Sequence, residues 1–264
     1  MTEVLSSSVS PDWAAMLLFL ALALIAETLG TLGGFGSSML FVPLASLFLD
    51  FQSVLGITAL FHVMSNLAKI GLFRQGFRAQ QGFAAKKGWY LALALPAMLF
   101  VGLGAWLTND WQGPWLEASM GLLIALLAAL LLRFPHFSLQ PTWFTLVAGG
   151  ALSGFLAGLV GTGGAIRGIT LSAFGLTKAT FVAISAFIDL GVDGTRAWVY
   201  FQNGFVHTHD LYLLPGLFVV SILGTWLGKL GLQFLPEARF KQLVLWLILL
   251  TGGIKGLTSL WSVL

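Results

Sequence analysis

Residues 57–74, ITALFHVMSNLAKIGLFR, return 127 positions later as residues 184–201, ISAFIDLGVDGTRAWVYF. Each copy holds one basic residue, Lys69 or Arg196, deep in apolar sequence. A glycine turn precedes each: Gly33, Gly34, Phe35, Gly36, Ser37 and Ser38 answer to Gly161, Thr162, Gly163 and Gly164. The exits match as well, since Arg74, Gln75, Gly76, Phe77 resembles Phe201, Gln202, Asn203, Gly204, Phe205 with one residue inserted. Further on, Leu95, Pro96 and the Gly104, Ala105, Trp106, Leu107 run find echoes in Leu214, Pro215 and Gly224, Thr225, Trp226, Leu227. Weak internal repeats with glycine-interrupted apolar segments at matching places mark a secondary transporter, with its site between the repeats.

Composition names the solvent. With 58% apolar residues, 9% charged residues and a mean hydropathy of +0.92, the chain has too little polar surface to clothe a water-soluble globule. It reads as an all-α polytopic membrane protein. The first apolar stretch, from Trp13 to about Thr28, lacks a basic leader and a small-residue cleavage site, so it is expected to stay as a membrane helix. There is no cysteine, which excludes disulfides and thiol chemistry. The net charge of +3 is spread as membrane topology demands and does not indicate a nucleic-acid partner.

Ten apolar stretches can be drawn, at 13–32, 36–49, 53–73, 88–108, 115–133, 142–160, 164–177, 178–201, 211–228 and 242–263. Most approach the ~20 residues that a spanning helix needs. The short pair, 36–49 and 164–177, follow the glycine turns and read as half-helices. Threading ten crossings in alternation puts Arg74, Arg78, Lys86, Lys87, Arg133, Lys178, Lys229, Arg239 and Lys241 on one side. By the positive-inside rule that side is the cytoplasm, and both termini face outward. Five crossings per repeat make the second copy inverted. In a rival count, the short pieces dip in and return to the same face, leaving four crossings per repeat and parallel copies. Trp13, Trp89, Trp111, Trp115, Trp143 and Trp261 lie near segment ends, where indoles anchor at headgroups. Gly154/Gly158, Gly224/Gly228 and Gly252/Gly256, each four apart, are expected to let helices approach closely.

Function must come from the charges that loops cannot claim: Glu27, Lys69, Arg167, Asp189, Asp193, Arg196 and Lys255. An ionised group at mid-membrane costs at least a few kcal/mol, so each needs a partner or a watery cavity. Thr58, His62, Asn66, Lys69 and Phe73 recur at helical spacing in the first copy, as do Ser185, Asp189, Asp193, Arg196 and Tyr200 in the second. Such stripes also serve plain helix contacts: Asp193, three residues before Arg196, can simply neutralise it. Lys69 has no acidic neighbour in its stripe, and can snorkel toward the nearby end.

A glycine-rich break followed by a short helix aims unpaired backbone N–H groups and a positive dipole end into a cavity, where an oxyanion is the natural guest. Ser37 and Ser38 add hydroxyl donors in one copy; Thr162 and Arg167 do so in the other. The expected anion site therefore comprises Gly34, Phe35, Gly36, Ser37, Ser38, Lys69, Gly161, Thr162, Gly163, Gly164, Arg167 and Arg196. Glu27, His62, Asn66, Asp189 and Asp193 are the candidates for coupling to a proton. His207 and His209 sit beside Asp210, but without further ligands at suitable spacing they are not assigned as a metal site.

The doubled pattern of glycine turn, short helix and polar-striped helix, with its Gln75-Gly76-Phe77 and Gln202-Asn203-Gly204-Phe205 exits, resembles the TauE/SafE sulfite exporter family, also called the 4-toluenesulfonate uptake permease family, over roughly residues 20 to 260. The resemblance implies transport of sulfite, sulfoacetate or related sulfur anions, typically export from bacteria. By that pattern Gly34, Phe35, Gly36 and Ser37 match one turn, and Gly161, Thr162, Gly163 and Gly164 the other. Asp189 replaces His62 and Asp193 replaces Asn66 between copies, which favours one repeat carrying the coupling.

The expectation is therefore an alternating-access carrier of two inverted five-segment repeats in a bacterial inner membrane. Residues 13–133 and 142–264 form the repeats, with an outer segment 1–12 and a cytoplasmic linker 134–141. Its partners are a small anion and the lipid bilayer, a homo-oligomer is left open, and no cofactor or metal is implied. A passive anion channel and a cation-coupled or cation transporter remain as alternatives. With no His-Glu-x-x-His, nucleophile elbow or cysteine, the chain does not read as an enzyme.

Overall fold

Apolar sequence in hydrocarbon must satisfy its own backbone N–H and C=O groups, which helices do within one segment. The computed structural model describes residues 13–34, 36–79, 87–108, 114–134, 140, 142–172, 174, 176–234, 236 and scattered positions from 242 to 261. Among these residues there are helices and connections and no strand. The helices are α1 (Trp13–Gly33), α2 (Ser38–Ala45), α3 (Phe51–Leu72), α4 (Arg74–Ala79), α5 (Lys87–Leu107), α6 (Pro114–Arg133), α7 (Trp143–Val160), α8 (Gly164–Ser172), α9 (Lys178–Gln202) and α10 (Leu214–Phe234). A 3-10 turn, Thr208–Leu213, leads into α10. Trp13–Gly33, Phe51–Leu72, Gly88–Leu107, Trp143–Val160 and Thr208–Phe234 are long and apolar enough to cross a bilayer. The stretch at 242–263 lies largely outside the described residues, and its described positions are helical from 242 to 261.

Local chemistry sets the starts. Asp50 caps α3, accepting from the backbone N–H of Gln52 at 3.0 Å and Ser53 at 3.1 Å. Burial pushes the Asp50 carboxyl up, but bonds from Ser53 and Gln52 and the nearby His207 hold it below its ordinary value. Thr142 and Thr145 form a capping box at α7, and Thr177 caps α9 through the N–H of Thr180.

Contacts fix the helix directions. α1 runs parallel to α10, with Gly216 against Leu20, Gly224 against Glu27 and Gly228 against Thr31. α5 runs parallel to α7, with Gly150, Gly154 and Gly158 against Leu93, Ala97 and Val101. α3 and α9 cross antiparallel: Gly76 meets Ala179 at one end, Gly56 meets Phe205 at the other, and His62 and Asn66 meet Arg196 and Asp193 between. Asn66 and Asp193 are counterparts at the 127-residue offset, so equivalent residues touch where the long helices cross.

After each long helix the chain turns back. Positive φ at Gly34, Gly36 and Gly161 makes the breaks, a region that side chains larger than glycine rarely adopt. α2 then returns beside α1, its Phe41 and the following Phe48 packing on Phe19, and ends where α1 began. α8 returns along α7, with Thr170 against Gly149. The short pieces thus run back along the helices that precede them.

Some boundaries differ from the sequence reading. α2 and α8 end at Ala45 and Ser172, because tight bonds from Leu47 to Leu44 and Phe48 to Ala45 turn the chain before Asp50, and Phe174 bonds back to Leu171. The exit at Arg74 to Phe77 forms the short α4, and the stretch drawn as 211–228 opens with the 3-10 turn and continues to Phe234. Trp13, Trp115, Trp143 and Trp261 are exposed on the helix surface, as anchors should be, whereas Trp111 lies outside the described residues.

Close packing explains the glycine spacing. A Cβ on Gly154 would come within 2.1 Å of the Ala97 carbonyl oxygen, and one on Gly158 within 2.2 Å of Val101 O. Gly154→Leu should therefore lower the thermal midpoint in detergent, with overpacking worth ~1–3 kcal/mol or more. Gly71→Leu, facing open space, should leave that midpoint unchanged.

Candidate functional site

The two breaks meet at the centre. Ser38 Oγ donates to Thr162 Oγ1 at 3.4 Å, which joins the first break to the second. Beside this contact lies a small polar cavity. Gly36, Ser37 and Ser38 wall it from one side, and Gly161, Gly163, Gly164 and Arg167 from the other. His62, Asn66 and Lys69 of α3 and Asp189, Asp193 and Arg196 of α9 complete the lining. α2 and α8 both start here, so two helix N-termini supply free N–H groups and positive dipole ends.

Among the described residues each buried cation has an acid. Lys69 Nζ lies 2.8 Å from Glu27 Oε1, Arg167 pairs with Asp189, and Arg196 Nε lies 2.8 Å from Asp193 Oδ1. Lys69 is 6% exposed and does not snorkel; the acid missing from its own stripe comes from α1. Glu27 is fully buried and also accepts from Ser37 and Ser65 at 2.5 Å and from Thr31 and Thr225 at 3.1 Å. Those five donors explain how a carboxylate persists there, since a buried charge is tolerated only when paired and hydrogen-bonded. Asp193 additionally takes a 2.6 Å bond from Asn66 Nδ2, and Ser185 Oγ donates to Asp189 at 3.3 Å.

A directed chain crosses the site. Arg196 donates from NH2 to His62 Nδ1 at 3.1 Å, and because a guanidinium only donates, that nitrogen accepts. The proton of a neutral His62 then sits on Nε2 and faces Ser37 Oγ at 3.0 Å. Ser37 in turn donates to Glu27 Oε2. Four elements are joined in one sequence of bonds: α9, α3, the first break and α1. Arg196 also donates from NH1 to the carbonyls of Gly161 at 2.8 Å and Ala157 at 3.4 Å, and the Tyr200 hydroxyl donates to Gly158 O. It therefore braces the end of α7 as well as lining the cavity.

Most of the residues expected from sequence converge. Gly34 instead lines an adjoining small cavity that shares Gly36, Lys69 and Asp189 with the first. Glu27 stands behind Ser37, and Thr162 is the contact to Ser38. Phe35 and Lys255 lie outside the described residues. Ser65, Thr31 and Thr225 were missed, although Ser65, four residues before Lys69, lies one turn away on the same helix face.

Breaking one partner tests the pairing. Glu27→Gln leaves Lys69 buried without its anion and should cost ~3–5 kcal/mol in unfolding stability. Glu27→Gln with Lys69→Met should recover much of that loss. Equal stability of the native chain and the single variant would contradict the pair's role.

No curated protein and no solved structure matches the chain. The family described as Sulfite exporter TauE/SafE matches residues 18–254, almost the whole of the 264-residue chain, both breaks and both striped helices included. A multi-pass helical membrane protein with this match is a membrane transporter, and the chain belongs to the TauE/SafE sulfite exporter family.

Proposed function

We propose that this protein carries small sulfur oxyanions such as sulfite, or organosulfonates resembling sulfoacetate, out of a bacterial cell by proton-coupled alternating access. The observation that carries the reading is the meeting of two helix N-termini and three paired cations around one central cavity. Backbone N–H groups at Ser38 and Gly164 and the hydroxyl of Ser38 face an anion from both sides, with Arg167, Arg196 and Lys69 supplying charge. Repeats 13–133 and 142–264, joined by 134–141, are inverted copies that rock about the crossing of α3 and α9. The chain sits in the inner membrane with both termini outside.

Charge balance supplies the coupling. Glu27, Asp189 and Asp193 cancel Lys69, Arg167 and Arg196, so the resting site is neutral while His62 is neutral. An added anion leaves an excess negative charge where the dielectric is low and solvation poor. A proton taken by Asp189 or Asp193 removes the excess and frees guanidinium donors for the guest. Glu27, held by five donors, takes the structural part.

Liposome flux tests the proposal with purified protein, sulfite, sulfoacetate, sulfate and chloride, with and without a pH gradient. Saturable sulfite or sulfonate flux that responds to the gradient is expected. Arg167→Ala should weaken anion affinity by ~1.5–3 kcal/mol, roughly tenfold to a hundredfold, as for a lost charged hydrogen bond. Asp189→Asn should retain flux but lose its response to pH. Non-saturating flux indifferent to pH would instead mark a passive channel, and silence toward every anion with wild-type folding would overturn the reading.

A further inference from the structure

Far from the central cavity, at the end of the bundle opposite Lys178 and Lys229, the connection from α9 to α10 folds onto the capped start of α3. His207 and His209 stack there, ring centroids 5.1 Å apart and planes within 14°. Both face one carboxylate: His207 Nδ1 lies 3.6 Å from Asp210 Oδ2, and His209 Nε2 lies 3.5 Å from Asp210 Oδ1. Asp210 itself is 2% exposed, and its Oδ2 has no hydrogen-bond donor. A buried carboxylate oxygen without a donor is costly unless some other group satisfies it.

We propose that His207, His209 and Asp210 bind a divalent transition metal of the Zn²⁺ class. Zinc–nitrogen and zinc–oxygen distances near 2.0–2.1 Å place neighbouring ligands of a tetrahedron ~3.3–3.5 Å apart, and the two Asp210 oxygens lie close to that spacing, Oδ2 at 3.6 Å from His207 Nδ1 and Oδ1 at 3.5 Å from His209 Nε2, each ring facing a different oxygen. Ligand atoms from all three residues already lie within 4.8 Å of one another. Two imidazoles and one carboxylate are a borderline donor set that suits Zn²⁺ over Mg²⁺ or Ca²⁺. The fourth position is open to water, because His209 is 75% exposed at its side chain. Ser53 Oγ, 2.8 Å from His207 Nδ1, gives up that nitrogen to the metal and stays in reach of the bound water. Sequence spacing hides the site: the ligands are only one and two residues apart, and the 3-10 turn gathers them.

All three ligands come from the one turn that opens into α10, so an occupied site fixes the conformation of that turn.

The test titrates Co²⁺ into the full-length, tag-free protein in detergent and follows the visible ligand-field absorption of four-coordinate cobalt. One equivalent should give an intense band that Zn²⁺ then displaces. His209→Ala, an exposed change that leaves the core untouched, should abolish the band while far-ultraviolet circular dichroism stays the same. His207→Ala should do likewise. Absence of a band in the native chain overturns the proposal, and so does a band that survives both substitutions.

Discussion

An ionised side chain in hydrocarbon must find an opposite charge, and each cation buried among the described residues does so. The Glu27–Lys69 pair joins α1 to α3, Arg167–Asp189 joins α8 to α9, and Asp193–Arg196 lies within α9 but reaches α3 through Asn66 and His62. The pairs hold the helices in register because removing one partner leaves the other stranded in a medium that cannot solvate it. The same pairs make the cavity neutral before any guest arrives. In the proposed mechanism, stability and transport chemistry draw on one set of residues, and an anion enters by loosening contacts that also hold the fold.

Glycine makes room for these pairs. Breaks at Gly34, Gly36 and Gly161 let the backbone reverse, and the first brings Ser37 within bonding distance of both Glu27 and His62. Along the flanks, Gly150, Gly154 and Gly158 let α7 lie against α5 so closely that carbonyl oxygens occupy the space of a side chain. In a bilayer, where apolar surface gives helices no preference for one another over lipid, such close approach is a main source of association.

Much of this was legible in the sequence, for physical reasons that also mark the limits. Helical periodicity is local, so the polar stripes His62, Asn66, Lys69 and Ser185, Asp189, Asp193, Arg196 point to the faces that meet. The glycine turns were visible because few residues tolerate positive φ. The partner of Lys69 was not visible: Glu27 lies 42 positions earlier on another helix, and no periodic pattern links them. The lengths of α2 and α8 were overestimated because apolar character runs on through the turns that end them. The His207, His209, Asp210 cluster was set aside for want of ligand spacing, since a 3-10 turn brings adjacent residues to one point in a way helix or strand periods do not.

The central claim is that a neutral, fully paired cavity accepts an anion together with a proton. Calorimetric titration of the purified protein with a sulfonate whose own charge does not titrate, repeated in buffers of different ionisation enthalpy, measures the protons taken up per anion bound. The account predicts uptake of about one proton per anion through the linkage between binding and protonation. Saturable binding with no proton uptake would contradict it.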